Sequence, residues 1–306
     1  MRLLFLGAGA IGGYFGGRLA EQGADVTFLV RPERAATLAS HGLSIVSPLG
    51  NAVVEVKAIT EVSTLFDTVI LACKAYDLDA AIAAITPAVG PETLILPLLN
   101  GVKHLDVLDA RFGRDHVAGG LCHIGAARTP SGEIRHLNRL QRFALGPRSK
   151  RQFARCRDLH EELKRGEFAP LLSETIEQEM WDKFVLLTAY AGITCLMRAP
   201  IGVIAATEDG AALAGDLLDE CAAVGKKVGY EPGAGFIAET RAMLTERGSI
   251  GTASMLRDIQ GGGRTEGDTI LGDMLARADG LPVPLLRIAR AHVQAYEIQR
   301  SMMALA

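Results

Sequence analysis

Residues 2–6 (RLLFL), a short run dominated by apolar side chains, lead directly into GAGAIGG at residues 7–13. Gly7-Ala8-Gly9-Ala10-Ile11-Gly12 fits G-x-G-x-x-G, in which the first glycine permits a tight turn. The second lets the backbone approach a pyrophosphate, and the third lets helix and strand pack closely. Tyr14 to Gln22 can continue as a helix that stops at Gly23, so the motif lies between a strand and a helix, the context it requires. Free N–H groups and the dipole at the helix start then favour a diphosphate. Arg2 with the apolar run and Ala8-Gly9-Ala10 superficially imitates a secretory leader, but the glycine spacing argues for the dinucleotide turn.

The pattern downstream extends this start into an α/β domain. A second strand is expected at 25–30 (DVTFLV), followed by a helix from Pro32 toward Ser40. LSIV and AVVEVKAI read as a small pair of strands around the Gly50-Asn51 turn. Buried strands are expected at 67–72 and 93–98 with a helix at 78–86 between them, an alternation that implies a parallel, doubly wound sheet. Residues 115–146 read as short strands with turn residues in RTPSGE, expected as antiparallel additions at the sheet edge, and a helix at 150–165 closes the domain. After about Ser173 the strand signal disappears and helical patterns run to the C-terminus. Thr175 and Gln178 have capping-box spacing at the start of a long helix. The expected architecture is therefore α/β: a Rossmann-type domain at 1–172 and an all-α domain at 173–306.

Composition narrows the ligand class. With 49% hydrophobic and 22% charged residues the 306-residue chain reads as a soluble globular protein of two domains. Its net charge of -3 gives no field that would recruit nucleic acid or an anionic membrane, so a small molecule is the expected partner. Five cysteines, far apart and odd in number, form no Cys-x-x-Cys motif, suggest no metal, and fit reduced thiols in a cytoplasm. The apolar helices at 284–303 and 211–224 are compatible with a homodimer as well as with core packing.

Cofactor choice is read at the end of the second strand. Arg31 stands there, with Arg34 one turn later, which favours NADP(H) over NAD. Lys74 in ACKAYD and Asn100 in LLNG follow later strands, on the side where such sheets bind ligands. Taken locally, a solvated lysine and a turn asparagine are the plainer readings. Lys183 opens an uncharged run from Phe184 to Met197 and shares a helix stripe with Glu179, Leu187 and Ala191. A lysine snorkelling at the solvated end of a core helix beside Glu179 would explain it; a buried one needs a partner or a function. Ser254 in isolation looks like a helix N-cap, and Glu266 like a first-turn acid.

GAGAIGG, Arg31, CKAYD, LLNG, WDKF with ITCLMRAPIG, and SMLRDIQGGGRTEGD occur in an order that resembles the ketopantoate reductases (2-dehydropantoate 2-reductases) over essentially the whole chain. The resemblance implies reduction of a 2-oxo acid with NADPH in a cleft between a Rossmann and a helical domain, most directly 2-dehydropantoate to (R)-pantoate in pantothenate biosynthesis. It implies that Lys183 is the general acid, Glu266 the carboxylate serving it, the substrate and the cofactor, and Ser254 a donor to the substrate carboxylate. Asn100 would lie at substrate and nicotinamide, with Lys74 and Arg31 holding the cofactor. In the family helix, asparagines follow the lysine one and two turns later; this chain has Leu187 and Ala191, which suggests a more apolar 2-oxo acid lacking a terminal hydroxyl. A 3-hydroxyacid dehydrogenase and a non-catalytic NADP-binding sensor are the competing readings.

Overall fold

The computed structural model describes residues 1–303; the last three positions of the 173–306 segment lie outside them. The chain divides into two compact units, Met1–Leu99 with His104–Glu177, and Asn100–Lys103 with the chain from Gln178 onward.

In the first unit, strand β1 (Arg2–Leu6) passes into helix α1 (Ala10–Glu21), β2 (Asp25–Leu29) and α2 (Pro32–His41). Then come β3 (Leu43–Val46), β4 (Ala52–Val54), β5 (Lys57–Ile59), β6 (Thr68–Leu71), α3 (Leu78–Ile85) and β7 (Leu94–Pro97). Five of these strands form the parallel sheet, ordered β5-β2-β1-β6-β7, so the strand that carries the glycine motif is central. Burial on both faces of such a sheet explains why β6 and β7 read as continuous apolar runs without alternation.

Two strand expectations are corrected. AVVEVKAI is not one strand: β4 pairs antiparallel with β3, whereas β5 turns away and joins the parallel sheet beside β2. Of residues 115–146 only Val117 reaches the edge of that sheet, in an isolated parallel bridge to Ile95 of β7, and the long strands that follow are not additions to it. After α4 (Lys103–Phe112), the long strands β8 (Gly119–Arg128) and β9 (Ile134–Gly146) form a hairpin in a second sheet, which β3, β4 and β10 (Leu171–Leu172) complete. Helix α1 packs against both sheets through glycines. A Cβ at Gly16 would press on Phe5 and Phe28 of the parallel sheet, and one at Gly17 on Leu43 and Ile45 of the second. Phe15, Phe143 and Phe168 meet edge-to-face and tilted, at 4.9–5.5 Å, in the core between them. Helix α5 (Phe153–Leu163) closes the unit.

The second unit is helical: α6 (Ile176–Met197), α7 (Ile201–Ile204), α8 (Gly210–Lys227), α9 (Ala234–Leu244), α10 (Ser254–Gln260), α11 (Asp273–Ala278) and α12 (Pro284–Met303). Helix α6 begins seven residues before Lys183, so the lysine sits within it and not at its mouth. The expected capping box is not the use made of Gln178, whose amide donates to Asp182 (2.9 Å) and to the Glu231 carbonyl (3.3 Å). Among the described residues no helix is long and apolar enough to cross a membrane.

Candidate active site

In the first unit the glycine turn has the local geometry that its motif requires. Gly7 has φ +98°, a conformation that L side chains rarely adopt. A Cβ at Gly12 would collide with the Gly7 carbonyl and lie 3.0 Å from the Ala72 methyl, so this position must be glycine for helix and strand to meet. Gly9 differs: a Cβ there would have no protein atom within 4 Å. Nothing in the fold needs a glycine at that point, which leaves open space at the first turn of α1, where its unpaired N–H groups lie. A dinucleotide diphosphate fits that space.

Arg31 caps α2 in an extended conformation, with Pro32 at the first helical position. Its side chain is 83% exposed and reaches Asp77 at 3.2 Å, so the segments that follow β2 and β6 meet there. Lys74 holds the corresponding extended position before the short turn Ala75–Asp77 and is partly buried. Arg34 turns away from this edge toward the Thr129–Glu133 turn of the second sheet. Burial, and after it Arg128, pull its pKa below the usual arginine range.

In the second unit, Lys183 and Glu266 are each only 7% exposed. The lysine therefore does not snorkel into solvent; it is a buried side chain on a helix whose next charged residue toward the C-terminus is Arg198. Gly101 brings the surrounding pieces together. Its φ is +79°, and a Cβ there would lie 3.1 Å from the Thr269 carbonyl and 3.7 Å from the Phe184 ring. The turn that carries Asn100 thus wedges between the residue following Lys183 and the helical turn following Glu266. Asn100 is partly buried there.

Glu266 is not a first-turn acid but lies just ahead of the helical turn, with Gly267 at the cap: its carbonyl accepts from Thr269 (3.2 Å) and Ile270 (3.0 Å). A π-helical turn, Asp268–Gly272, follows at once, a geometry often found beside functional residues. The approach to Glu266 is pinned to α12, where Tyr296 donates to the Gly263 carbonyl (2.7 Å) and Glu297 accepts the Thr265 N–H (2.6 Å). Burial raises the Glu297 pKa, but Thr265 and Arg300 outweigh it and hold the carboxyl below the usual range.

Ser254 is the first residue of α10 and is exposed; the cap is Ala253, so the expected N-cap role is corrected and the hydroxyl is left outward. Leu187 is partly buried and Ala191 buried. The four- and eight-residue spacing that singled them out passed over Tyr190. Seven residues on, it lies within about 20° of the Lys183 direction, against about 80° for Ala191. No group of three or more His, Cys, Asp or Glu among the described residues is placed to hold a metal ion.

Residues 3–150 match the family model described as "Ketopantoate reductase PanE/ApbA", and residues 175–297 match that described as its C-terminal part. An uncharacterized oxidoreductase, YkpB of Bacillus subtilis, is 38% identical over 98% of this chain and all of its own. The 2-dehydropantoate 2-reductase of Mesorhizobium japonicum is 26% identical over 98% of this chain and 99% of its own. Among solved structures, a PanE/ApbA family ketopantoate reductase from Ralstonia eutropha superposes with a TM-score of 0.89 at 26% identity, covering 98% of this chain and 100% of that one. D-mandelate dehydrogenase, solved with NADH and anilino(oxo)acetate, shares the fold with a TM-score of 0.89 at 21% identity, covering 98% and 100%. The chain is an oxidoreductase that uses a nicotinamide cofactor, and it belongs to the ketopantoate reductase family.

Proposed function

We propose that this protein reduces a 2-oxo acid to the 2-hydroxy acid with NADPH, with Lys183 as proton donor, and that 2-dehydropantoate, reduced to (R)-pantoate in pantothenate biosynthesis, is the substrate. The observation that carries the reading is Lys183 itself. It is an ammonium-bearing side chain buried in an apolar helix, and the residue after it packs against the turn of Asn100 and Gly101.

Bound NADPH supplies the hydride. Negative charge then builds on the carbonyl oxygen, and the Lys183 ammonium stabilises it and donates the proton. Glu266, held by its anchored segment, orients Lys183 and contacts substrate and cofactor. Ser254 donates to the substrate carboxylate, and Asn100 meets substrate and nicotinamide. In the other unit, Gly7 to Gly12 receive the diphosphate, and Arg31 and Lys74 hold the cofactor, Arg31 favouring the 2'-phosphate of NADPH. A second substrate, a more apolar 2-oxo acid, is supported by Leu187 and Ala191 on the Lys183 helix.

The test follows NADPH oxidation with 2-dehydropantoate, 2-oxoisovalerate and larger apolar 2-oxo acids. Lys183→Ala is expected to lower turnover about 100-fold or more while leaving NADPH binding intact. A variant as active as the natural chain would overturn Lys183 as the donor. NADPH binding without reduction of any acid would favour the sensor.

A further inference from the structure

Along α6 beyond Lys183 the polar groups have separate fates. The Thr188 and Thr194 hydroxyls each donate to the carbonyl one turn back, of Phe184 and Tyr190, at 2.7 Å. Leu187 and Ala191 bring no polar group. Tyr190 is partly buried, and its hydroxyl makes no hydrogen bond to any described residue. The phenol lies over Gly251, where an added Cβ would come within 2.9 Å of its oxygen and displace it. The Ser249–Gly251 segment is fixed in turn, because Ile201 donates to the Gly251 carbonyl (3.0 Å) and Gly202 to that of Ser249 (2.8 Å). Three residues further on, the same segment reaches Ser254. Burial raises the Tyr190 pKa, and the Arg257 charge opposes this without reversing it, so the phenol is a neutral donor at neutral pH.

A donor whose hydroxyl has no hydrogen-bond partner among the described residues, on the face of the proposed acid, can serve an acceptor from outside. Seven residues of helix separate Lys183 and Tyr190 by about 10 Å along the axis. The phenol therefore serves a group of the substrate remote from the carbonyl that Lys183 protonates, on the far side from the reacting oxygen.

We infer that Tyr190 is a specificity-determining residue, its phenol donating to an oxygen substituent of the 2-oxo acid remote from the reacting carbonyl. The inference rests on the reductase reading above, and within it favours hydroxylated acids such as 2-dehydropantoate over their apolar analogues. The phenol then supplies the polar contact that Leu187 and Ala191 do not.

Tyr190→Phe keeps the ring and deletes the donor. Calorimetric titration of the NADP-loaded protein would compare pantoate with 2-hydroxy-3,3-dimethylbutanoate, which differs by the distal hydroxyl alone. The natural chain is expected to bind pantoate about tenfold more tightly, and Tyr190→Phe to abolish that preference. No preference in the natural chain, a preference retained in Tyr190→Phe, or binding of neither acid would overturn the assignment. Reduction of the two corresponding 2-oxo acids, measured in parallel, tests the reductase reading separately. Failure of turnover with the binding preference intact would sink that reading and leave the Tyr190 contact standing.

Discussion

Gly9 and Gly12 carry the same letter in the motif for opposite reasons, and this separates fold from ligand. At Gly12 a methyl group would collide with the Gly7 carbonyl, a backbone atom that cannot turn aside. At Gly9 it would meet no protein atom within 4 Å. Gly12→Ala is therefore expected to lower the melting temperature by several degrees or prevent folding, whereas Gly9→Ala should melt within about 1–2 °C of the natural chain. Gly9→Ala should also lose about tenfold or more in NADPH affinity, because the methyl occupies the space for the diphosphate. Thermal unfolding and a fluorescence titration decide it; equal destabilisation by both, or unchanged affinity in Gly9→Ala, would show that the open space is not the diphosphate's. Arg31 allows a parallel test. Its 83% exposed side chain makes only a surface pair with Asp77, so Arg31→Ala should leave melting unchanged. The preference for NADPH over NADH should fall about tenfold, and an unchanged preference would reject Arg31 as the 2'-phosphate contact.

Among the elements, legibility followed the range of the interactions that define them. The β1–turn–α1 unit was readable because each of its constraints is local: an apolar run, a left-handed Gly7, a helix stop at Gly23. The second sheet was not, because β9 pairs with β3, placing Ile134 opposite Ile45 across 89 residues, and no local pattern records such a pairing. The start of helix α6 was legible, since Ile176 follows Thr175 where the capping-box spacing placed it; the burial of Lys183 was not, because the helix is largely buried on several sides and its apolar period has little contrast. The fold that holds these elements also depends on a polar junction that spacing could not reveal. The Arg148 side chain, only 3% exposed, grips both Asp109 oxygens at 2.8 Å and reaches Glu177 at 3.2 Å, tying α4 to the end of β9 and the start of α6. Burial opposes its charge, but Asp109 and Glu177 outweigh that and raise its pKa. Arg148→Ala leaves Asp109 with Arg114 at 3.9 Å as its remaining cation, while Glu177 keeps Arg114 at 2.9 Å, and is expected to cost about 2 kcal/mol. Urea unfolding measures it; a loss below about 0.5 kcal/mol, the size of an ordinary surface substitution, would show the junction to be ornamental to stability.

For the whole molecule, the cysteines read as reduced thiols from their spacing form no disulfide among the described residues, and their burial is expected to set the alkaline limit of stability. Cys156 and Cys195 are fully buried, and desolvation, partly offset by Arg155 and Arg198, pushes each thiol from 9.0 to about 12. Desolvation and Glu220 push Cys221 still further up. In the unfolded chain these thiols ionise near their ordinary value, so above about pH 9 the native state holds more protons than the unfolded state and stability falls as pH rises. The contribution is fully present below pH 9 and is lost progressively as the pH climbs toward the folded value near 12. Each thiol contributes a slope of up to about 1.4 kcal/mol per pH unit, and the three together about 4. Denaturant unfolding from about pH 8 to about pH 10.5 should therefore show a plateau followed by a steep decline. Cys156→Ala tests the cause directly. It is expected to lower stability on the plateau through lost packing, yet to make the decline shallower by about 1.4 kcal/mol per pH unit. A decline of unchanged steepness in that variant would place the alkaline limit with other groups and remove Cys156 from it.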